Sequence, residues 1–332
     1  MKNRGISHWL WIALLALGLM VYSLFSGSVP IAFSDVFFTE DPNNISRVIF
    51  FESRIPRTLA SVLGGAALSV AGLLMQSLFR NPLAGPSVLG LSSGASLAVA
   101  VLMLGSFGFV LGGVELVLAA IIGSSAVLVL ITVLSSKFRD ITSVLIVGLM
   151  LSFFASAMIS LLQSFASESA IKAFVFWGFG SFADLSLSRL WIFAIPLLLC
   201  FALVPFLSKP LNAVLLGETH ARSMGVSIKK FRWSVILITG VLTGVVTAFC
   251  GPVAFIGLAS PHIARFIFKT VDHRKLIPAA ILVGGLLGLV CDIISRLPGS
   301  HHALPLNTVC AFMGAPVVLY LIVRGRKQNI LL

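Results

Sequence analysis

The sequence predicts an all-α, polytopic membrane protein with about ten transmembrane helices. Apolar residues make up 58% of the 332 residues, whereas Asp, Glu, Lys and Arg together make up 10%. These charges lie between long uncharged runs, as expected because a charge at the bilayer centre costs about 2.5–3.5 kcal/mol on insertion scales. A span needs about 20 apolar residues, so ten spans use nearly the whole chain. We therefore expect one transmembrane domain over residues 1–332.

The apolar runs place the spans in order along the chain. We expect them at residues 9–24, 58–78, 88–109, 114–134, 141–163, 190–207, 235–249, 255–268, 276–294 and 306–323. The first run follows Lys2 and Arg4 like a signal peptide, but Ser26-Gly27-Ser28 is a weak cleavage site, so we interpret the run as a span. The eighth run is short and contains Pro261. It predicts a helix that is broken or buried within protein, because lipid cannot satisfy freed backbone groups.

Two segments outside the spans have predicted structures of their own. Residues 26–57 predict an ordered outer loop. Residues 170–182 are apolar and aromatic but too short to cross, and they predict a re-entrant half-helix from the outer side. Re-entrant backbone is tolerated at membrane depth where it lines a cavity or is buried in protein. Phe174 and Trp177 are therefore candidates for lining a pathway, and simple packing is the alternative.

The distribution of Lys and Arg predicts that both termini face the cytosol. Six of the 23 basic residues fall on the outer side, namely Arg47, Arg54, Arg57, Lys172, Arg189 and Arg296, and the other 17 fall on the cytosolic side. This partition follows the positive-inside bias. The basic residues are scattered through loops instead of clustered on one face, so the net charge of +12 reflects topology and no nucleic-acid partner is expected.

The usual motifs of nucleotide binding and of zinc proteases are missing from the sequence. No lysine follows a glycine, so the loop that cradles nucleotide phosphates is absent, and the chain cannot hydrolyse ATP alone. The zinc-protease motif H-E-x-x-H does not occur either. The four cysteines stand singly in or beside apolar segments, which predicts packing residues: Cys200, Cys250, Cys291 and Cys310. We expect no catalytic residue, bound cofactor or metal in this chain.

Three polar segments stand out from the apolar background. The first contains RIPRTL from Arg54 and NPLAGP from Asn81, where two prolines fix a rigid turn. The second, residues 212–226, has helical periodicity with Glu218 and Arg222 at i, i+4, and predicts a short amphipathic helix that lies on the membrane or inserts into a partner's groove. The third combines VAFIGLASPHIAR with GAPVVLYL near the C-terminus.

Together these segments resemble the FecCD family, the permease subunits of binding-protein-dependent ABC importers for iron-siderophores, haem and vitamin B12. The resemblance runs from about Arg54 to Lys327. It implies a permease in a bacterial inner membrane that pairs with a second copy of itself. It also implies two cytosolic ABC ATPase subunits, which hold the ATP and Mg, and a periplasmic substrate-binding protein. Siderophore, haem and cobalamin importers share these motifs, so the cargo stays open.

The resemblance also implies site residues. The helix at about 212–226 matches the coupling element that seats in the ATPase cleft, with Leu216, Gly217, Glu218, Ala221, Arg222, Ser223 and Gly225. The arginines that match binding-protein docking residues are Arg54, Arg57 and Arg296; for Arg296 an i, i+4 pair with Asp292 is the alternative. The matching cytosolic constrictions are at Asn81, Leu83, Thr142 and Ser143, although the last two would look the same as plain helix caps.

Other functions remain open at this point. An ion- or proton-coupled secondary transporter needs ionisable groups at the bilayer midplane, and only Asp292, near the end of the ninth span, comes close. An intramembrane enzyme is disfavoured by the missing acid, base and metal constellations. His301 and His302 near the outer end are weak candidates for touching a metal or haem, and His262 is expected to be a satisfied buried histidine.

Overall fold

A computed structural model describes residues 2–27, 31–38, 44–86, 90–105, 113–137, 141–296 and 304–328. Every regular element within these residues is a helix. The predicted fold class is therefore confirmed. The helices are α1 (Lys2–Phe25), α2 (Phe33–Phe37), α3 (Ile45–Ile49), α4 (Ile55–Phe79), α5 (Leu91–Leu104), α6 (Gly113–Lys137), α7 (Ile141–Phe165), α8 (Glu168–Gly178), α9 (Leu187–Leu203), α10 (Ser208–Leu215), α11 (Glu218–Ser223), α12 (Ile228–Cys250), α13 (Ile256–Phe268), α14 (His273–Ser295) and α15 (Leu306–Gln328).

Six helical stretches among the described residues are long and apolar enough to cross a membrane. They are Ile45–Phe79, Val114–Leu134, Thr142–Phe165, Leu187–Leu215, Ile228–Cys250 and His273–Ser295. Four shorter apolar helices, Trp9–Phe25, Leu91–Leu104, Ile256–Phe268 and Leu306–Tyr320, complete a one-to-one match with the ten predicted spans. Several helices continue past the apolar runs into polar sequence. For example, α12 begins seven residues earlier than predicted, at Ile228.

The prediction of an outer loop before the second span is wrong for most of its length. In the described part of that region α2 and α3 form, and a π-helical segment, Phe50–Arg54, continues α3 directly into α4. Asn44 accepts a hydrogen bond from the backbone N–H of Ser46 (2.9 Å) and so caps α3. Pro56 lies just after the π-helical segment, in the first turn of α4, where its missing N–H removes one hydrogen bond from the continuous helix.

The prediction of an eighth helix that is broken or buried within protein is confirmed for burial, since Gly257, Ser260 and Pro261 are buried, but no break occurs at Pro261. Helix α13 runs unbroken through Pro261. The interruption lies upstream, in the extended linker that joins α12 to α13, where Gly251 has φ +71° and Phe255 has φ +64°. Left-handed backbone costs a non-glycine residue roughly 1–2 kcal/mol, so the surrounding contacts must hold Phe255 in place.

Helix α4 is the central helix and packs against α9, α12, α13 and α14. Glycines bring these backbones into contact, as the G-x-x-x-G spacing of Gly284 and Gly288 predicts. A Cβ on Gly65 would lie 2.3 Å from the carbonyl oxygen of Gly284, and one on Gly72 would lie 1.7 Å from that of Gly257. The four cysteines are free and buried, as expected of packing residues.

Candidate functional site

The three predicted docking arginines meet in one cluster at the predicted outer end. Arg57 Nε donates to Asp292 Oδ1 (2.8 Å), and an Arg296 guanidinium nitrogen lies 3.1 Å from Asp292 Oδ2. Arg54 donates to the carbonyl oxygen of Ser26 (2.6 Å), and Arg296 donates to the same oxygen (3.2 Å). The start of α4, the end of α14 and the residues after α1 are therefore joined by one carboxylate and one carbonyl group.

Burial limits what this arginine cluster offers to a partner. Arg54 and Arg296 are only 6% and 7% exposed. The alternative reading of Arg296, an i, i+4 pair with Asp292, is confirmed. Arg57 keeps 17% of its side chain exposed and is the most accessible of the three. Docking of a binding protein by these arginines stays a prediction, and their visible role is to hold three segments together.

The half-helix predicted at residues 170–182 corresponds to α8 (Glu168–Gly178), an 11-residue helix capped by Ser167, and its re-entrant position in the membrane stays a prediction. Asn307 at the start of α15 fixes its C-terminal end. The Asn307 amide nitrogen donates to the carbonyl oxygens of Gly178 (3.1 Å) and Pro252 (2.6 Å), while its oxygen accepts from the N–H of Ala254 (2.9 Å). Asn307 therefore joins α8, the linker before α13, and α15. Sequence reasoning missed it, although a lone amide in an apolar motif was the available signal.

Phe174 and Trp177 on α8 are half-buried and stack on each other with ring centroids 6.0 Å apart. They pack against a small apolar cluster that includes Ala95, Val99 and Ala248. Trp177 also lines a cavity of about 230 Å³ between α6, α8 and α12. Packing is thus established for both residues, and a pathway role stays a prediction.

The predicted constriction residues lie at the ends of α4 and α7. Asn81 Oδ1 accepts from the N–H of Leu83 (2.9 Å), and the N–H of Asn81 donates to the carbonyl oxygen of Gln76 (3.1 Å). Asn81 therefore closes the turn that follows α4, which leaves the Leu83 side chain 53% exposed. Thr142 is exposed and Ser143 half-buried in the first turn of α7. A gating role for these four residues stays a prediction.

The predicted coupling helix at about 212–226 is two helices instead of one. Helix α10 ends at Leu215 and α11 begins at Glu218, because Gly217 takes φ +120°, a conformation that favours glycine. The break turns Leu216 outward, with 71% of its side chain exposed. After α11, Met224 is 61% exposed. Two large apolar side chains thus flank a six-residue helix on an exposed surface.

The expected pairing of Glu218 with Arg222 is wrong. Glu218 Oε1 accepts from Arg232 on α12 (2.7 Å), while Arg222 is exposed. Both residues lie in α11, but the Glu218 carboxylate pairs with the buried Arg232 of α12 instead. Ala221 is fully buried, and Ser223 and Gly225 are exposed. The inner face of α11 is thereby fixed to the protein and its outer face is free.

A hydrogen-bonded chain that sequence reasoning missed joins α10 to α4. Asn212 donates to Asp272 Oδ1 (2.6 Å), so its own oxygen accepts from the backbone N–H (2.9 Å) and ring Nδ1 (2.7 Å) of His273. His273 Nε2 lies 2.7 Å from Ser77 Oγ at the end of α4. The bond from Asn212 lowers the pKa of Asp272, because it stabilises the charged carboxylate.

A second polar group lies deeper, between α4 and α13. Arg265 donates to Gln76 Oε1 (2.7 Å), and Gln76 Nε2 donates to the carbonyl oxygen of Leu258 (3.2 Å). The buried His262 places Nδ1 2.9 Å from the same carbonyl, but its Nε2 is buried without a hydrogen-bond partner among the described residues, so the expectation of a satisfied histidine is confirmed at Nδ1 alone. His301 and His302 lie outside the described residues.

Comparisons with known proteins agree on the kind of protein. The profile of the FecCD transport family matches residues 14–324. The vitamin B12 import system permease protein BtuC of Klebsiella pneumoniae subsp. pneumoniae is 36% identical over 284 residues, which is 85% of each chain. The protein of the same name from Salmonella typhi is 33% identical over 333 residues, which is 98% of each chain.

Solved structures are similar as well. One is described as an inward-facing conformation of a transporter assigned to the metal-chelate type of ABC transporters. It aligns with a TM-score of 0.85 at 31% identity, over 95% of this chain and 98% of that one. PsaBC from Streptococcus pneumoniae in complex with Fab aligns with a TM-score of 0.56 at 14% identity, over 80% of this chain and 90% of that one. The second match reflects the fold alone.

Proposed function

The chain belongs to the FecCD transport family and is a multi-pass permease subunit of an ABC importer, and from this premise we propose that two copies form the pathway for a bulky metal chelate. Separate cytosolic ATPase subunits, with their ATP and Mg, drive the transport. A periplasmic binding protein delivers the cargo from outside. This chain supplies the pathway and the transmission of force, and both of its termini lie in the cytosol.

The exposed surface of α10 and α11 is the observation that carries this proposal. Leu216 and Met224 present apolar area that a monomer gains nothing by exposing, whereas a partner cleft would bury it. The inner side of the same segment is fixed by the Glu218 ion pair and by the Asn212–His273 bonds. A rigid support beneath an exposed apolar contact is the arrangement needed to carry a displacement from a docked ATPase to α4 and α14.

A second copy is proposed because the cavity beside Trp177 offers too little room for the cargo. The cavity beside Trp177 measures about 230 Å³, below the roughly 300–1,000 Å³ of pockets that hold drug-sized ligands. Cobalamin, haem and ferric siderophores are larger still. A pathway between two copies provides the missing width, and the exposed apolar faces of the helices offer surfaces for both the lipid and the second copy.

The secondary-transporter alternative is weakened by the state of Asp292. That carboxylate is 1% exposed and forms ion pairs with both Arg57 and Arg296. A coupling carboxylate must exchange its proton or cation during each cycle, which two buried guanidinium partners oppose. Uptake that needs the partner ATPase would exclude this alternative.

The cargo class is a metal chelate: an iron-siderophore, haem or cobalamin. Vitamin B12 is the first candidate to test, because the curated relatives quoted above are named for it, while the most similar structure quoted is named for metal chelates more broadly. Titration of the cognate binding protein with cobalamin, haem and ferric chelates separates the three.

The proposal is tested in proteoliposomes that contain the chain with and without its ATPase. Binding protein and labelled cargo are supplied on the side that corresponds to the periplasm. We expect uptake only when both the ATPase and ATP are present. Uptake by the chain alone would refute the proposal.

The coupling surface is tested by Leu216→Ala combined with Met224→Ala. Burial of such side chains contributes about 1.5–3 kcal/mol each, or about 3–6 kcal/mol for the pair, so we expect the affinity for the ATPase to fall roughly a hundredfold or more, with uptake reduced in parallel. Phe206→Ala is the matched control, since Phe206 is 78% exposed but precedes α10. Equal ATPase affinity of the double variant and the control would remove this surface from the mechanism.

A further inference from the structure

A small basic cavity opens beside the coupling segment, at the end of the molecule predicted to be cytosolic. It measures about 80 Å³ and lies where α4, α10, α13 and α14 meet. Its polar lining consists of Gln76, Ser77, Arg80, Arg265 and His273, and apolar side chains complete the wall. Nothing in the proposed transport mechanism uses this space, because the pathway is expected between two copies.

The charges around this basic cavity are unbalanced. Two arginines line it, and no Asp or Glu does. Within the described residues neither Arg80 nor Arg265 forms an ion pair, and the side-chain acceptor found for Arg265 is the neutral amide of Gln76. The closest acid along the chain, Asp272, is engaged by Asn212 and by the N–H of Arg274. A guanidinium carries five N–H donors, so Arg265 has donors to spare.

A half-buried guanidinium without a carboxylate is costly, because taking a charge out of water costs several kcal/mol unless a counter-charge compensates it. The exposed residues Lys269, Arg274 and Lys275 on the adjoining linker and helix add to the positive potential at this end of the protein. Such a field draws anions towards the opening. The missing counter-charge is therefore expected to come from outside the chain.

The size and donor set of the basic cavity select the anion. One water needs about 10–15 Å³ measured in this way, so about 80 Å³ holds roughly five waters or one tetrahedral oxyanion. Paired arginines match the geometry of phosphate oxygens. We propose that this basic cavity binds a phosphate group, carried either by an anionic lipid headgroup or by a free phosphate ion, and that Arg265 and Arg80 hold it.

A phosphate at this position would touch the same elements that the coupling segment rests on. Ser77 ends α4, Leu215 ends α10 and His273 begins α14, and all three line the cavity. Binding would therefore tie these ends together and stabilise the folded protein, since any ligand of the native state alone does so. This effect requires no transport, so its test is independent of the cargo and of the ATPase.

The free-ion arm uses the full-length chain, purified in nonionic detergent, with sodium phosphate as the probe and sodium chloride at equal ionic strength as the reference. We expect phosphate to raise the unfolding temperature in a saturable way. Arg265→Gln should weaken this response roughly tenfold to a hundredfold in apparent affinity, as loss of a charged donor does. Lys275→Gln, an exposed neighbour outside the cavity lining, is the matched control and should respond like the wild type.

The lipid arm uses native mass spectrometry of the same protein from nanodiscs of phosphatidylcholine alone or with phosphatidylglycerol. Retention of phosphatidylglycerol by the wild type and the control, but not by Arg265→Gln, would identify the lipid as the source even if free phosphate had no effect. If Arg265→Gln fails to fold, Arg80→Gln at the exposed edge of the cavity takes its place in both arms.

The proposal is wrong if neither phosphate nor phosphatidylglycerol distinguishes the wild type from these variants. It is also wrong if both probes are without effect while Arg265→Gln weakens binding of the ATPase. In that case the counter-charge is an acidic side chain of the ATPase, and the cavity belongs to the coupling interface.

Discussion

Replacing Asp292 with Asn is expected to destabilise the protein by about 3 kcal/mol or more. Asp292 is 1% exposed and holds Arg57 at 2.8 Å and Arg296 at 3.1 Å. Asn has the same shape but no charge, so both guanidinium groups lose this carboxylate. Removing one partner of a buried ion pair costs about 3–5 kcal/mol. Because Arg57 is 17% exposed, water compensates it in part, and the lower end of the range follows with most of the cost at Arg296.

The assay is thermal unfolding of the purified chain in detergent. Samples are heated to a series of temperatures, and size-exclusion chromatography measures the folded fraction that remains. At roughly 2 °C per kcal/mol for a chain of this size, Asp292→Asn should lower the midpoint by about 6 °C. Asp184→Asn is the matched control. That carboxylate is exposed and forms no ion pair within the described residues, so we expect a change within about 0.5 kcal/mol.

A third variant separates the two pairs. Arg296→Gln leaves Asp292 paired with Arg57, so it should cost less than Asp292→Asn. The reasoning fails if Asp292→Asn unfolds within about 1 °C of the control, since the carboxylate would then contribute nothing to holding the start of α4 against the end of α14.

Two further perturbations test the interior and the coupling segment. Gly72→Ala should prevent folding, because its Cβ would lie 1.7 Å from the backbone oxygen of Gly257. Gly18→Ala is the control, and it should be neutral or slightly stabilising because no atom lies within 4 Å of its Cβ. The yield of monodisperse protein measures both effects. Asn212→Ala removes the acceptor of two His273 donors and should destabilise the α10 contact by about 1–3 kcal/mol. We expect uptake per ATP hydrolysed to fall while ATPase binding persists, and unchanged stoichiometry in proteoliposomes would contradict the role of this bond.

The fold follows closely from the sequence because membrane insertion is a local constraint. Each apolar run must form its own helix, since lipid satisfies no backbone group, and charges must lie at the ends. That is why every predicted span has a helical counterpart in the structure. The end points differ because backbone hydrogen bonding continues into polar residues, as at Ile228 in α12, without any change in hydropathy to mark it.

The sites were less predictable because pairing partners come from distant segments. Arg57 and Asp292 are 235 residues apart, and His273 and Ser77 are 196 apart. Local spacing suggested Glu218 with Arg222, yet tertiary packing brings Arg232 closer. The break between α10 and α11 at Gly217 could be predicted from the sequence, since a glycine between two amphipathic turns often marks a residue with positive φ. The resemblance identified the segments, and the structure supplied the contacts within them.

The position of α4 constrains how the two ends of the permease can move. This 25-residue helix is about 37 Å long, with Arg57 in its first turn and Ser77 in its last. Backbone contact at Gly65 and Gly72 leaves no space for sliding against α14 or α13, since close-packed interiors do not deform continuously. The three helices are therefore expected to move as one body. If the pathway opens at one end at a time, less buried elements must move, and α7, with only 17% of its most apolar stretch buried, is the first candidate.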